Sequence, residues 1–130
     1  MAIALATGIR NAMGDAITTG MGASAKFRIY SGTRPASMGT ATTLLAELAC
    51  SATFAPASSG GVLTVNAITN DSSADATGTA SWFRGLTSGN TPEIDGDVGT
   101  SGSDLNLNTT SIVSGGPVAI SSMVLTMPGA

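Results

Sequence analysis

The chain has 130 residues, of which eight are acidic and five basic, giving a formal net charge of −3. It contains no histidine and one cysteine, Cys50, which excludes Ser-His-Asp and Cys-His catalytic systems, imidazole metal sites and an internal disulfide. Charged residues make up only 10% of the sequence, against about 25% in ordinary soluble domains, and the few scattered basic residues are a poor match to phosphate-backbone binding.

Low charge has a consequence for the surface. A domain of this length buries about two-thirds of the surface that its unfolded chain exposes, and eight acidic and five basic side chains cannot cover the remainder. Ser, Thr, Gly, Ala and Asn must cover it instead, and such a surface loses little hydration when a partner docks. We therefore expect a protein that packs against other protein; a charge-poor soluble monomer is the alternative.

The first segment, residues 2–20, has the apolar spacing of one face of an amphipathic helix. That face comprises Leu5, Ile9, Ala12, Met13, Ala16 and Ile17. The opposite side carries Arg10, Asn11, Asp15 and Thr18. Charges interrupt the apolar run too early for a membrane span, and no basic stretch precedes it as in a signal peptide. The pattern predicts an N-terminal helical unit over 1–22, either lying on its own domain or donated to a neighbouring subunit through Leu5, Ile9, Met13 and Ile17.

From residue 25 onward the apolar pattern changes to the alternation that is typical of strands. Strands are predicted at Ala25–Ser31, Val62–Ile68, Ala76–Arg84, Pro92–Val98, Ser103–Asn108 and Pro117–Met127. Thr42–Phe54 is long enough for a further strand, although its LLAELA run could form a helical turn instead. Polar, Gly-rich or Pro-rich turns separate them at Thr33–Thr40, Ala55–Gly61, Thr69–Asp75, Ser88–Thr91 and Gly99–Gly102.

Two of these strands carry specific expectations. In Ser103–Asn108 the alternation places Leu105 and Leu107 inward. In the last strand the apolar residues change phase, because the step from Ile120 to Met123 is three residues and not two, which predicts a β-bulge at Ser121–Ser122. Seven or eight short strands without intervening helices predict an all-β fold, an antiparallel β-sandwich or jelly-roll-like domain over 23–130.

The candidate sites are few. Glu93, Asp95 and Asp97 alternate along one predicted strand, so they could share a face and hold a hard cation such as Ca²⁺, or they could line a solvated strand edge. Neighbours on one strand do not supply the facing carboxylates of a hydrolase. Cys50 lies in an apolar run and is expected to be a small buried hydrophobe.

The segment Trp82-Phe83-Arg84 could be an aromatic and cationic recognition patch or the anchor of the core. The sequence contains no GxxxxGK[ST] phosphate loop and no dinucleotide-binding pattern. We assign no catalytic, cofactor-binding or metal-binding residue.

Six runs of the sequence are distinctive: RIYSGTRP at Arg28–Pro35, LLAEL at Leu44–Leu48, GGVLTVNAIT at Gly60–Thr69, DSSADATGTASWFR at Asp71–Arg84, DGDVGTSGSDLNLNTTSI at Asp95–Ile112 and GGPVAISSMVLTMP at Gly115–Pro128. These runs resemble a set of small structural proteins of tailed bacteriophages. The resemblance covers nearly the whole chain, and the DGDVGTSGSDLNLNTT run is its most specific part.

The resemblance implies a non-enzymatic component of the virion, such as a capsid decoration or cement protein. It would assemble in the host cytoplasm with itself, as a trimer or another ring, and with virion proteins such as the major capsid protein, without nucleic acid, membrane or cofactor. A neck or tail component, or a β-sandwich module that binds carbohydrate or a host surface, is the alternative. Aromatic residues make up only 4% of the chain, which leaves little material for a carbohydrate site.

Overall fold

A computed structural model describes residues 3–130, so the first two residues of the predicted N-terminal unit, Met1 and Ala2, lie outside the described residues. The elements of the described part are the helix α1 (Thr7–Met21) and the strands β1 (Lys26–Ser31), β2 (Thr43–Ala49), β3 (Val62–Thr64), β4 (Gly78–Thr79), β5 (Trp82–Leu86), β6 (Pro92–Gly99), β7 (Leu105–Leu107), β8 (Ser111–Ile112) and β9 (Ile120–Thr126). The fold is therefore mostly β with one N-terminal helix. Within the described residues, no helix is long and apolar enough to cross a membrane.

Seven of the strands form one sheet in the order β2-β1-β5-β6-β7-β9-β3, while β4 and β8 form a separate two-stranded ribbon. The pairs are antiparallel except for β6 and β7, which run parallel with Val98 opposite Leu105. The expectation of purely antiparallel pairing is wrong at this pair. After β6 the chain turns back within a few residues and enters β7 in the same direction, so the sheet is mixed.

The main core lies on one side of this sheet. Phe27 of β1 packs edge-on against Phe83 of β5, with ring centroids 5.5 Å apart, and lies 5.7 Å from Phe54. Leu105 and Leu107, predicted to point inward, have exposed fractions of 0% and 1%. These values confirm the prediction. Alternation along a half-buried strand indicates which side chains face the core.

Three predicted elements need adjustment. Thr42–Phe54 contains the strand β2 and no helical turn, and Val62–Ile68 forms only the short strand β3. Ala76–Arg84 is not one strand, because its two ends belong to different sheets. The division occurs at adjacent amides: the N–H of Ala80 donates to the carbonyl of Thr110, and the N–H of Ser81 donates to the carbonyl of Tyr30.

The phase change in the last strand is a β-bulge, as predicted. Leu107 is opposite Ile120 and Asn106 is opposite Ser122, so Ser121 has no partner in the ladder. Its hydroxyl donates to the carbonyl of Asn106 at 3.1 Å. The extra residue keeps Met123 and the alternate residues after it on the core side, where a regular ladder would have turned them to solvent.

Helix α1 lies on the strands of its own chain, with a face different from the predicted one. Its buried residues are Arg10, Gly14 and Met21, whereas Ile9 is 54% exposed. The predicted apolar face contributes Met13 and Ile17, which are partly buried against the core; Ala12 and Ala16 are exposed. The inward face is rotated because two glycines, Gly14 of the helix and Gly61 of the strand region, let the helix approach closely, and because Arg10 finds an acceptor inside.

The sheet is incomplete between β6 and β9, because β7 has only three residues. On the side where β7 begins, next to Asp104, the strands β6 and β9 face each other across a gap of ≈ 170 Å³, which we call the strand gap. Its lining comprises Ile17, Phe83, Ile94, Asp95, Asp104, Leu125, Thr126 and Met127. Helix α1 crosses beneath it: Gly14 lies against Leu63 of β3, Ile17 lines the gap, and Met21 lies against Gly85 of β5. The helix thus joins the two halves of the sheet.

Candidate functional site

Positive charge is concentrated on one side of the molecule. On the sheet face opposite Phe27 and Phe83, the register places side chains from four strands in one row across β2, β1, β5 and β6. The row consists of Glu47, Arg28, Arg84 and Asp95. Lys26, also on this face, and Arg34, in the loop beside it, bring four of the five basic residues of the chain to this region, which we call the charged face.

The two central arginines of the row, Arg28 and Arg84, lie directly opposite each other, an arrangement that by itself is destabilising. Each is balanced by a carboxylate on its outer side. Arg28 Nε donates to Glu47 at 2.6 Å, and this hydrogen bond raises the pKa of Arg28. The row therefore has no net charge, with the two cations in the middle and one anion at each end.

Within this row, the ion pair of Arg84 and Asp95 is buried. Arg84 donates Nε and Nη2 to the two carboxylate oxygens of Asp95 at 2.8 and 2.9 Å, and Nη2 also donates to the carbonyl of Gly39 at 2.8 Å. The side chains are 7% and 8% exposed. The hydrogen bond to Asp95 outweighs desolvation and raises the pKa of Arg84. A bidentate, desolvated pair of this kind fixes local geometry and leaves Asp95 little capacity for a further ligand.

The aromatic residues next to this pair are also inaccessible. Trp82 is 1% exposed and stacks on Tyr30 with ring centroids 4.3 Å apart, while its indole N–H donates to the Thr42 hydroxyl at 2.9 Å. Arg84 lies 5.3 Å from the Trp82 ring centroid. Phe83 points to the main core. Of the two interpretations of Trp82-Phe83-Arg84, burial favours the anchor, with Trp82 holding a second apolar layer on the charged face.

The loop between β1 and β2 covers part of the charged face. It forms a surface depression of ≈ 390 Å³ lined by Arg34, Pro35, Ala36, Ser37, Met38 and Asp95. Ser37 and Met38 both have positive φ, 50° and 59°, a conformation that L-residues other than Gly, Asn and Asp seldom adopt. Arg34 lies 3.6 Å from Asp97 and is 44% exposed. The depression places Arg34 near the partly exposed Met38. Its lining contains no nucleophile paired with a general base.

The predicted acidic cluster is not brought together. Asp95 is bound to Arg84, and Asp97 lies near Arg34. Glu93 is an extra residue at the register shift where Gly85 is opposite Ile94 and Leu86 is opposite Pro92, and its carboxylate lies beside Gly20 of the helix. Within residues 3–130, no three His, Cys, Asp or Glu side chains are grouped closely enough to hold a metal ion. The bulge and the two arginines separate the three carboxylates, so the structure does not favour the cation site over a solvated strand edge.

Cys50 is 9% exposed and free, which confirms the prediction that it is buried. Burial raises the pKa of its thiol to about 12. At neutral pH it is therefore protonated and a poor nucleophile.

Sequence reasoning missed the polar residues that fix the helix. Asn11 Oδ1 accepts the N–H of Gly61 at 2.8 Å, and Asp15 Oδ1 accepts the N–H of Ser58 at 2.8 Å. Arg10 donates to the carbonyl of Met127. A usable signal was present in the sequence: the SSGG turn at 58–61 has backbone N–H groups that need acceptors, and the helix offers carboxylate and amide oxygens at adjacent turns.

Comparisons of the chain with protein-family models, with curated proteins and with solved structures gave no match.

Proposed function

We propose that the chain is a non-enzymatic structural component of a tailed-bacteriophage virion, specifically a capsid decoration or cement protein. The resemblance described above suggests this class, and the distribution of charge is the structural observation that supports it. With Arg10 buried and the other four basic residues gathered at the charged face, the rest of the surface described for residues 3–130 carries a few scattered carboxylates and no positive side chain. Most of its area is therefore cheap to desolvate.

Two large apolar side chains are also exposed. Val113, next to β8, is 61% exposed, and Val124, on β9, is 39% exposed. Sparsely charged surface with scattered aliphatic groups suits extended contact with other protein; a stable contact buries on the order of 1,200–2,000 Å² in total. Repetition of such contacts around a symmetric particle makes modest individual affinities effectively irreversible.

The binding-module alternative has less support. All five aromatic residues of the chain, Phe27, Tyr30, Phe54, Trp82 and Phe83, are buried. A carbohydrate site normally presents aromatic and polar groups at an accessible cleft. A role in the neck or tail would use the same sparsely charged surface and is the second candidate.

For the architecture, we propose that the ribbon β4–β8 forms the second layer of a sandwich or jelly-roll-like domain. Gly78 of the ribbon lies against Leu45 of β2, and Ile112 of the ribbon is buried in the main core. The ribbon thus covers the same side of the sheet as the core.

The test is the location of the chain in purified particles. We expect mass spectrometry to find it at a fixed ratio to the major capsid protein, and a particle map to place it on the head surface. Binding should survive about 1 M salt, since few exposed charges would take part in a sparsely charged interface. Density at the neck or tail would favour the second candidate, and absence from purified particles would refute a structural role.

A matched pair of variants separates the sparsely charged surface from the charged face. Val113→Asp places a charge next to the ribbon, at a side chain that is 61% exposed, and should lower particle occupancy. Arg34→Gln removes an exposed charge from the other side and should leave occupancy unchanged. The reverse result would assign binding to the charged face.

A further inference from the structure

The strand gap presents backbone hydrogen-bonding groups as well as apolar side chains. In the ladder of β5 and β6, Val98 donates to Ser81, so the N–H and C=O of Asp95 point away from β5 and into the gap. In the ladder of β3 and β9, Met127 donates to Gly61, so the N–H and C=O of Thr126 point into the gap from the other side. Within residues 3–130, neither residue has a strand partner on the gap side, and neither takes part in a backbone hydrogen bond outside the ladders.

The gap therefore has the form of a vacant strand position. It continues the line of β7, it has strand edges on both sides, and its floor is formed by Phe83 and by Ile17 of the helix. Asp104 closes the end next to β7, where its carboxylate accepts the N–H of Asp97 at 3.3 Å. Sheet edges of this kind bind extended peptides, with main-chain hydrogen bonds supplying affinity and alternate side chains filling pockets.

The chain itself contains a segment with the matching pattern. The sequence before the helix alternates large apolar and small residues, M-A-I-A-L-A, which in an extended strand places the large side chains on one face. Ile3 is 75% exposed and is the most exposed large apolar residue of the described chain. The backbone at Ala6 is extended, with φ −61° and ψ 149°.

The segment does not lie in the gap of its own subunit, because none of residues 3–6 lines that gap. The N–H of Leu5 donates to the carbonyl of Gly129 at 2.7 Å, which holds the segment beyond the end of β9.

We infer that the strand gap accepts the N-terminal segment around Ile3 of a second copy of this chain, ahead of Leu5, which stays bonded to Gly129 of its own subunit. The extended segment pairs with the free backbone edges at Asp95 and Thr126, and its alternate large side chains enter the apolar lining. The inserted strand completes the sheet between β6 and β9 and links one subunit to the next. This inference concerns the isolated chain and does not depend on the proposed virion role.

The test uses two exposed, adjacent positions. Ile3→Asp puts a charge on the inserted face of the segment, whereas Ala4→Asp puts the same charge on its outward face. In light scattering of the purified full-length chain over a range of concentrations, we expect Ile3→Asp to weaken self-association at least tenfold and Ala4→Asp to leave it near the wild-type value. Equal effects of the two variants, or a wild-type chain that stays monomeric, would overturn the inference.

Hydrogen exchange supplies a second readout that does not depend on a variant. The amides of Asp95 and Thr126 should exchange slowly when the chain is associated and fast when it is diluted or carries Ile3→Asp. Amides that exchange at the same rate in the associated and diluted chain would place the contact elsewhere and contradict the proposal, even if the chain associates. If the purified chain associates as expected but is absent from phage particles, the result would count against the virion role alone.

Discussion

The guanidinium of Arg10 is bound to the main-chain carbonyl of Met127, 117 residues away in sequence, through Nε at 3.3 Å and Nη2 at 2.9 Å. Gly61 lies directly against this guanidinium, where a Cβ atom would collide with it. The first turn of the helix, the start of β3 and the end of β9 therefore meet at one point. Removing Arg10 from this position would leave a buried carbonyl without its partner.

Gly61→Ala tests this meeting point. The added methyl group displaces the Arg10 side chain and also places alanine at a φ of 75°, so we expect the free energy of unfolding to fall by about 3 kcal/mol. Gly60→Ala is the control, because Gly60 has a φ of 62° but open space around it; its cost should stay near 1 kcal/mol. Urea denaturation measures both values, and equal losses would show that Arg10 is not held as described.

The buried pair of the charged face gives a second prediction. Asp95→Asn keeps the shape of the side chain but leaves the Arg84 charge buried without a carboxylate, which should cost about 3–5 kcal/mol. Asp97→Asn acts on the Arg34 pair, whose side chains are 44% and 66% exposed, and should cost less than about 1 kcal/mol. Chemical denaturation of the two variants at low ionic strength compares them, and a cost below 1 kcal/mol for Asp95→Asn would contradict the assignment.

Cys50 predicts a specific pH dependence of stability. Its thiol has an ordinary pKa of 9.0, and burial raises the pKa to about 12 in the folded chain. Because the unfolded chain loses this proton first, the stabilising contribution is complete below about pH 9 and is lost as the pH rises towards 12, at up to about 1.4 kcal/mol per pH unit. Cys50→Ala should remove that component of the slope. Parallel slopes for wild type and variant between pH 9 and 11 would rule out a buried thiol.

Chelation should leave stability unchanged. The carboxylates of Glu93, Asp95 and Asp97 face different neighbours, so they do not form a cation site together. We expect the same melting temperature with EDTA and with millimolar Ca²⁺. A rise in melting temperature on adding Ca²⁺, abolished by Asp97→Asn, would restore the cation interpretation.

The sequence pattern predicted the parts of the fold that depend on alternation. The buried Leu105 and Leu107 and the bulge at Ser121 follow directly from the spacing of apolar residues along single strands, where side-chain direction is a local property. The parallel pairing of β6 with β7 and the division of Ala76–Arg84 between two sheets depend on which distant strand each amide meets. A local pattern does not contain that information.

The helix shows that a local pattern also fails to predict which side chains are exposed. Its apolar spacing placed Ile9 inside and Arg10 outside, and the structure reverses both. Hydrophobicity alone cannot rank a buried arginine above an isoleucine, since burial of Arg10 depends on an acceptor from the other end of the chain. The acidic residues behave likewise: their spacing along β6 was visible, but the arginine partners of Asp95 and Asp97 come from β5 and from the loop before β2.

The hydrogen bonds of Leu5 and Arg10 to residues after β9 also determine how the molecule would bear mechanical load. Leu5 and Arg10 are bonded to Gly129 and Met127, so tension on the residues before the helix passes straight to the other terminus. The hydrogen bonds between the central strands would not carry this tension. In an array of joined subunits, force would run from terminus to terminus, and each sheet would stay intact until these few bonds had broken.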